Sequence, residues 1–490
     1  MSETKGTQHP NVEIAVENFG PIAEANIDLR PLTVFVGPSN TGKTYFATLV
    51  YALHGTFNGL SGSGLLSPFE QGEVLSIVRQ LLTDHTMPRT EIQDIVNKLG
   101  MWGRPFKLSD LSKEMRQKLG SIIKETDFFT ETLQDELKNC FDLNSIPELI
   151  RMTEVKHSEM TTLLKVIEGG QEYWNFKMNV SESEVNLDSS TVLNISTEDD
   201  LVLLPIECLV SAELLVDDNR ASISISGPKK RNRYYMPAAR SGIMQSHRII
   251  ASSLVKRTTR VGLERFPEVP TMSGVIADFM ERIILYEEGK IPNDEMKHLA
   301  MTLESDVLGG QIRVEPSLIG YPDFRYQPQG VEEDIRLSQT SSMVSELAPL
   351  VLFLRGLVRP GDTLIIEEPE AHLHPGAQAD IAVILARLVR AGVRVIITTY
   401  SDWLLQEISN LTLEGLLEDE TDEPASWLLP NEVGVWHFQK DKPVREIPFH
   451  PREGISPEDY EDVAEGLYNR SVNLQQRLEK KKGESGREPV

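Results

Sequence analysis

The chain has 490 residues, 40% hydrophobic and 25% charged, with a formal net charge of −25. That composition fits a soluble globular protein of two or three domains, or one large domain with insertions. The acidic balance argues against a protein that coats nucleic acid by bulk electrostatics. No apolar run reaches transmembrane length, and the start MSETKGTQHP lacks a signal-peptide pattern. Cys140 and Cys208 have no CxxC spacing, so neither a disulfide framework nor a zinc site is expected and a reducing cytoplasm is.

In chain order, VEIAVENF (Val12 to Phe19) and ANIDLR (Ala25 to Arg30) read as strands about a Gly20-Pro21 turn, and LTVFVG (Leu32 to Gly37) as a short buried strand. Tyr45 to Leu53 has helical spacing, and Ser67 to Met152 reads as mostly helical. In YWNFKMNV, period two puts Trp174, Phe176, Met178 and Val180 on one strand face, and short β candidates continue to ASISIS at Ala221. A helical block from about Ser246 to Leu303 precedes the strand-like GGQIRVEP, FRYQ and EDIRLS. The last third alternates helix (SELAPLVLFLRGLV), buried strand (TLIIEE), helix (GAQADIAVILARLVRAG), buried strand (VRVIITTY) and helix (SDWLLQEISNL). Unbroken apolar strands between amphipathic helices predict a parallel sheet covered on both faces. The tail EKKKGESGREPV reads as disordered.

The expected segments are 1–60 (N-terminal head with P-loop), 61–155 (helical insertion), 156–245 (β-rich, ending in PAARSG), 246–305 (helical insertion), 306–478 (C-terminal head) and 479–490 (tail). A basic track is conceivable along GPKKRNRYYMPAAR, Arg248 and KRTTR (Lys256 to Arg260), against the plainer reading of a solvated surface.

GPSNTGKT (Gly37, Pro38, Ser39, Asn40, Thr41, Gly42, Lys43, Thr44) matches G-x-x-x-x-G-K-[ST] between a strand and a helix. The glycines let the loop curl its N–H groups onto phosphate oxygens. Lys43 would reach the β- and γ-phosphates of ATP, and Thr44 would offer its hydroxyl to Mg²⁺. In LIIEEPEAHLHP, charges crowd the end of a buried strand, which is costly unless something binds there. Glu367 is expected to hold Mg²⁺ from a strand next to the P-loop strand, and Glu368 to orient and activate the attacking water. The plainer reading is an exposed acidic turn.

Five blocks in order carry a family resemblance: ENFGPIAEANIDLRPLTVFVGPSNTGKT, YYMPAARSG, SQTSSMVSELAPL, LIIEEPEAHLHP and VIITTYSDWLL. Together they resemble the ABC-type ATPases of the RecF, SMC and OLD branch, and the prokaryotic AAA family ATPases found beside effector genes. The resemblance implies an α/β P-loop NTPase fold: an ABC-type head with a mostly parallel sheet, a β-subdomain and helical insertions. It implies paired heads, with Ser341 and Ser342 at the signature, capping a helix that starts near Ser345 and meeting the partner's ATP; an ordinary Ser N-cap is the alternative. It places Tyr45 with the P-loop, and His372 and His374 in a loop that crosses the dimer interface. Arg240 either reaches the nucleotide, couples the insertion to it, or pairs with a carboxylate.

Three positions depart from the family. Met343 stands where the signature has Gly, Glu367 replaces the commoner Asp, and Tyr400 occupies the place of the switch histidine. A phenol donates one hydrogen bond and is uncharged at neutral pH, so slow hydrolysis is expected. Roughly 320 residues separate the P-loop from TLIIEE, but the insertions, about 60–190 and 245–305, are too short and irregular for long coiled-coil arms, and no zinc hook, HNH cluster or TOPRIM-sized appendage is seen. The chain is therefore expected to be a cytoplasmic ATP hydrolase with no nuclease domain, a homodimer or higher homo-oligomer, needing no membrane. It would act as sensor or scaffold for a separate nuclease or TOPRIM-like effector in anti-phage defence, as in PARIS-type systems. The alternative is a RecF-like DNA-repair clamp.

Overall fold

In the computed structural model, the described residues are 11–57, 128–152, 159–168, 171–188, 216–217, 220–221, 232–246, 272–287, 294–316, 322–417, 426–452 and 454–455, with helical positions at 470, 472, 475 and 477. EVLSIVRQLL, TEIQDIVNKLG, most of the basic track and EKKKGESGREPV lie outside them.

The chain opens with β1 (Asn11–Phe19), β2 (Ile22–Leu29) and β3 (Leu32–Val36), followed by α1 (Lys43–Phe57) and α2 (Phe128–Phe141). Strands β4 (Glu159–Glu168), β5 (Gln171–Ser181) and β6 (Val185–Asp188) follow, then the small hairpin of β7 (Val216–Asp217) and β8 (Arg220–Ala221) and the strand β9 (Arg233–Met236). Next come α3 (Gly274–Ile284), α4 (Asp294–Thr302), β10 (Gly310–Pro316), β11 (Pro322–Pro328) and β12 (Ile335–Arg336). The last third alternates α5 (Ser342–Gly356), β13 (Thr363–Glu367), α6 (Pro375–Arg390), β14 (Arg394–Thr399) and α7 (Asp402–Leu417). It ends in β15 (Val433–His437), β16 (Arg445–Ile447) and the short pair β17 (Phe449–His450) and β18 (Gly454–Ile455).

The central sheet has the order β16-β15-β3-β14-β13-β9. All its pairings are parallel except that of the edge strand β16. Strands β3, β13, β14 and β15 are buried at every position, as a sheet covered on both faces requires. Their alternate residues feed two cores. Leu32, Val34, Leu364, Ile366, Val395 and Ile397 pack with helices α3 to α7, and Phe35, Ile365 and Ile396 pack toward α1 and the second sheet. That second sheet, antiparallel in the order β2-β1-β4-β5-β6, joins strands from both sides of the P-loop segment. Phe176, Met178 and Val180 are buried on it, as the period-two pattern predicts.

One expectation is corrected by the strand order. Strand β13, which carries Glu367, is not next to the P-loop strand: β14 lies between them, with Thr399 opposite Val36 and Thr398 opposite Glu367. Apolar runs report burial and leave neighbours unspecified. The consequence is functional, because β14 delivers Tyr400 between the phosphate loop and the acidic loop.

Candidate nucleotide site

The phosphate loop forms where β3 passes into α1. Gly37 has φ +130°, and a Cβ there would stand 2.1 Å from the Phe438 carbonyl oxygen. Gly42 has φ +106°, with Ile22 Cγ1 2.4 Å from the Cβ position. Asn40 takes the left-handed region at φ 61°, which asparagine tolerates. Pro38, Ser39 and Asn40 are exposed, and the Thr41 hydroxyl ties the loop by donating to the Pro38 carbonyl at 2.8 Å. The Phe46 N–H donates to the Gly42 carbonyl at 2.8 Å as α1 begins, leaving its first N–H groups for an anion.

Lys43 is only 4% exposed. Its Nζ donates to the carbonyls of Gly37 (2.7 Å) and Pro38 (2.8 Å) and lies 3.9 Å from the Tyr400 ring centroid. Burial lowers its pKa to about 8, against the opposing pull of Glu368 and Glu370. Thr44 is exposed beside it. Tyr45, expected with the P-loop, packs its ring against aromatic neighbours. Its ring packs on Phe19 at 5.0 Å and Phe141 at 4.6 Å, and burial raises its phenol to about 12. Residue spacing marks loop position and cannot say which way the ring turns.

Strand β13 ends in the acidic loop. Glu367 receives the Tyr235 hydroxyl on Oε1 and the Ala238 N–H on Oε2 at 2.9 Å. Burial, then the Glu367 charge, keeps the Tyr235 phenol protonated and donating. Glu368 stands in the left-handed region at φ 45°, a position costing on the order of 1–3 kcal/mol for a non-glycine residue. Its N–H donates to the Thr398 carbonyl at 2.9 Å, and its carbonyl accepts from Arg240 Nη2 at 2.9 Å. Burial, then the charges of Glu370 and Glu367, push its carboxyl above the ordinary range, opposed by Lys43 and Arg240. A raised carboxylate near an anion site suits proton acceptance at neutral pH. Glu370 Oε1 accepts from the Thr399 hydroxyl (2.6 Å) and the Tyr400 N–H (2.9 Å).

Arg240 is turned into the protein interior. It is 2% exposed, and its guanidinium donates to the carbonyls of Glu346 (3.2 Å), Pro237 (3.2 Å), Glu367 and Glu368. It also ion-pairs with Glu346, itself fully buried, at 2.9 Å. The carboxylate-pairing alternative is the one this geometry realises, and it links the first turns of α5 to the end of β13. Arg233, in the basic stretch, is likewise internal: it ion-pairs with Glu136 and lies 3.8 Å over the Tyr51 ring.

The signature candidates lie at the start of α5. Helix α5 starts at Ser342, three residues before the expected Ser345, because Ser341 caps it by accepting the Val344 N–H at 3.4 Å. The apolar rhythm begins only at Val344, so it hides the first turn. Ser341 and Ser342 are exposed, and among the described residues no hydrogen bond joins them to the phosphate loop. Met343 packs partly against the core. His372, at φ 62°, and His374 are exposed, and His374 caps α6 by accepting the Gly376 N–H at 3.3 Å. Among the described residues no cluster of three or more His, Cys, Asp or Glu side chains that could hold a metal ion is present.

Sequence reading missed Tyr235, Glu346 and Glu370. The usable signal was a charge inside an otherwise apolar run: Glu346 interrupts a helix that is buried almost throughout, and such a charge needs an internal partner.

Residues 267–405, from α3 to the start of α7, match the AAA ATPase domain family (AAA_15). That stretch carries β13, the acidic loop and β14, and its match supports an ATPase-type nucleotide site there. In the structure the phosphate loop, the acidic loop after β13 and the end of the intervening β14 share the carboxyl end of the parallel strands. Three SMC heads are among the chain's structural matches. An SMC head bound to the C-winged helix domain of ScpA is 11% identical, covering 91% of this chain and 99% of that one at TM-score 0.42. The Thermotoga maritima SMC head is 10% identical, covering 90% and 100% at 0.36, and a Pyrococcus furiosus head with extended coiled coil, bound to the C-terminal domain of ScpA, is 12% identical, covering 94% and 100% at 0.39. No curated protein matches the sequence. Among the described residues no helix is long and apolar enough to cross a membrane.

Proposed function

We propose that this head binds ATP with Mg²⁺, hydrolyses it slowly, and uses the difference between ATP-bound and ATP-free states to control a separate protein. The observation that carries the reading is the convergence of Lys43, Tyr400, Glu368 and Glu370 at the carboxyl ends of the central strands β3, β14 and β13. Thr44 and Glu367 supply hard oxygen donors suited to Mg²⁺, which keeps several waters and takes few protein ligands. Each Glu367 oxygen retains a lone pair beyond the bond it already accepts. When bound, Mg²⁺ would neutralise charge on the β- and γ-phosphates.

Within the chain, Glu368 serves as proton acceptor for the attacking water, and Lys43 must leave the Gly37 and Pro38 carbonyls to meet phosphate. That exchange, together with release from the Tyr400 ring, is the physical ground for slow turnover. Exposed Ser341, Ser342, His372 and His374 are free to face a second head, whose ATP they would contact across a paired interface. The sensor or scaffold role for a nuclease effector in anti-phage defence, with PARIS-type systems as the named example, rests on the five-block resemblance. The repair-clamp reading loses Arg233 and Arg240 from its basic track, since both are internal.

The test uses Glu368→Gln, designed to hold ATP unhydrolysed. Its mass in solution should double on adding Mg-ATP, and a pull-down with ATP from the native host should return a stoichiometric protein. A mass that stays that of a monomer refutes head pairing. Nuclease-sensitive DNA without protein favours the repair clamp.

A further inference from the structure

Beyond Glu368, a second acid organises these strand ends. Glu370 is 9% exposed and connects two loops that meet nowhere else through a side-chain carboxylate among the described residues. Its Oε1 accepts from the hydroxyl and the main chain of consecutive residues, Thr399 and Tyr400. Thr399 is fully buried, and its hydroxyl in turn accepts the Ser401 N–H at 2.9 Å. Ser401 caps α7 by accepting the Leu404 N–H at 3.0 Å, and it donates to Gln378 on α6. Gln378 closes the ring by donating to the Leu373 carbonyl at 2.9 Å, back on the loop that bears Glu370. Glu370 Oε2 is buried with no hydrogen-bond partner. Both bonds fall on Oε1, so one carboxylate ties the acidic loop to the end of β14.

We propose that Glu370 is a positioning residue: it fastens the switch segment 399–401 to the acidic loop, so that Tyr400 and Glu368 are held in one arrangement beside the phosphates. The inference rests on the hydrolase reading above and deepens it. The reach of the bridge, more than its charge, sets the arrangement, because both bonds converge on a single oxygen that an amide can also provide.

The test measures phosphate release (kcat and KM) and ATP affinity by equilibrium dialysis, for the wild type, Glu370→Ala, Glu370→Gln, Thr399→Val, the Glu370→Ala/Thr399→Val double variant and a Glu368→Gln control. Glu370→Ala should lower kcat at least about tenfold while KM and Kd stay within about threefold, the split expected when geometry at the reacting atoms is lost and ground-state binding is kept. Glu370→Gln, whose amide oxygen accepts both donors, should remain within about threefold of wild type. The double variant should be no slower than Glu370→Ala alone, since both changes break one bridge. Equal losses in Glu370→Ala and Glu370→Gln, or multiplying losses in the double variant, would overturn the proposal. If Glu370→Ala does not fold, Thr399→Val decides: a kcat matching wild type overturns the bridge. A wild type no faster than the Glu368→Gln control sinks the hydrolase reading itself, whereas normal wild-type turnover with indistinguishable variants sinks only the role of Glu370.

Discussion

Replacing Arg240 with methionine tests how α5 is tied to the acidic loop. The guanidinium is buried and makes four carbonyl bonds, to Glu346, Pro237, Glu367 and Glu368, besides its ion pair with Glu346. Removing one partner of a buried ion pair costs about 3–5 kcal/mol, because the other charge stays buried alone. Here Glu346 is fully buried and has no hydrogen bond on either carboxylate oxygen apart from that ion pair. The carbonyls of Glu367 and Glu368 lose their arginine donor as well, so Arg240→Met belongs at the upper end, about 4–5 kcal/mol. Glu346→Gln is milder, about 1–3 kcal/mol, because the guanidinium keeps its carbonyl partners. The double variant should cost less than the sum of the two, since the glutamine removes the stranded charge. Urea unfolding of all three variants, with midpoints and slopes compared, reads these differences. An Arg240→Met loss under 1 kcal/mol, or strict additivity, would refute the reasoning.

Tyr400→His should raise the hydrolysis rate by restoring a chargeable side chain at the end of β14; a native rate equal to that of the variant would remove Tyr400 as the limiting feature. With Lys43 at about 8 in the free protein, kcat/KM for ATP should fall on an alkaline limb near that pH, and a profile flat to pH 10 would contradict the placement of its ammonium. Asp362, raised to about 6 chiefly by burial while it accepts the N–H groups of Asn232 and Arg359, binds its proton more tightly folded than unfolded. Its contribution to stability is therefore fully present below the unfolded pKa and lost as pH rises through about 6. Wild type should gain about 1.4 kcal/mol relative to Asp362→Asn between pH 7 and pH 5, and no relative gain in chemical denaturation would count against it.

Much of this fold was legible in the sequence because three parts of the candidate site are local. The phosphate loop needs glycines at fixed offsets between a strand and a helix, and Gly37 and Gly42 have the positive φ values that this demands. Strands β13 and β14 read as buried because parallel strands inside two helical layers have no polar face. What escaped was long-range. The insertion of β14 between β3 and β13 is invisible to periodicity, since each strand looks equally apolar. The inward turn of Arg240 depends on Glu346, more than a hundred residues away in sequence. Glu370 looked like one more charge in an acidic turn, and its meaning comes from Thr399 and Tyr400 on a different strand. The start of α5 was misplaced for a local reason, an exposed first turn without an apolar stripe.

The central claim is that Lys43 and Glu368 make one ATP-hydrolysing site. Phosphate release from Mg-ATP by wild type, Glu368→Gln and Lys43→Ala, paired with ATP binding for each, tests it most directly. The account predicts slow release by wild type, at least about a hundredfold less from Glu368→Gln with ATP still bound, and loss of binding in Lys43→Ala. Release that survives Glu368→Gln at the wild-type rate, or ATP binding untouched in Lys43→Ala, would contradict it.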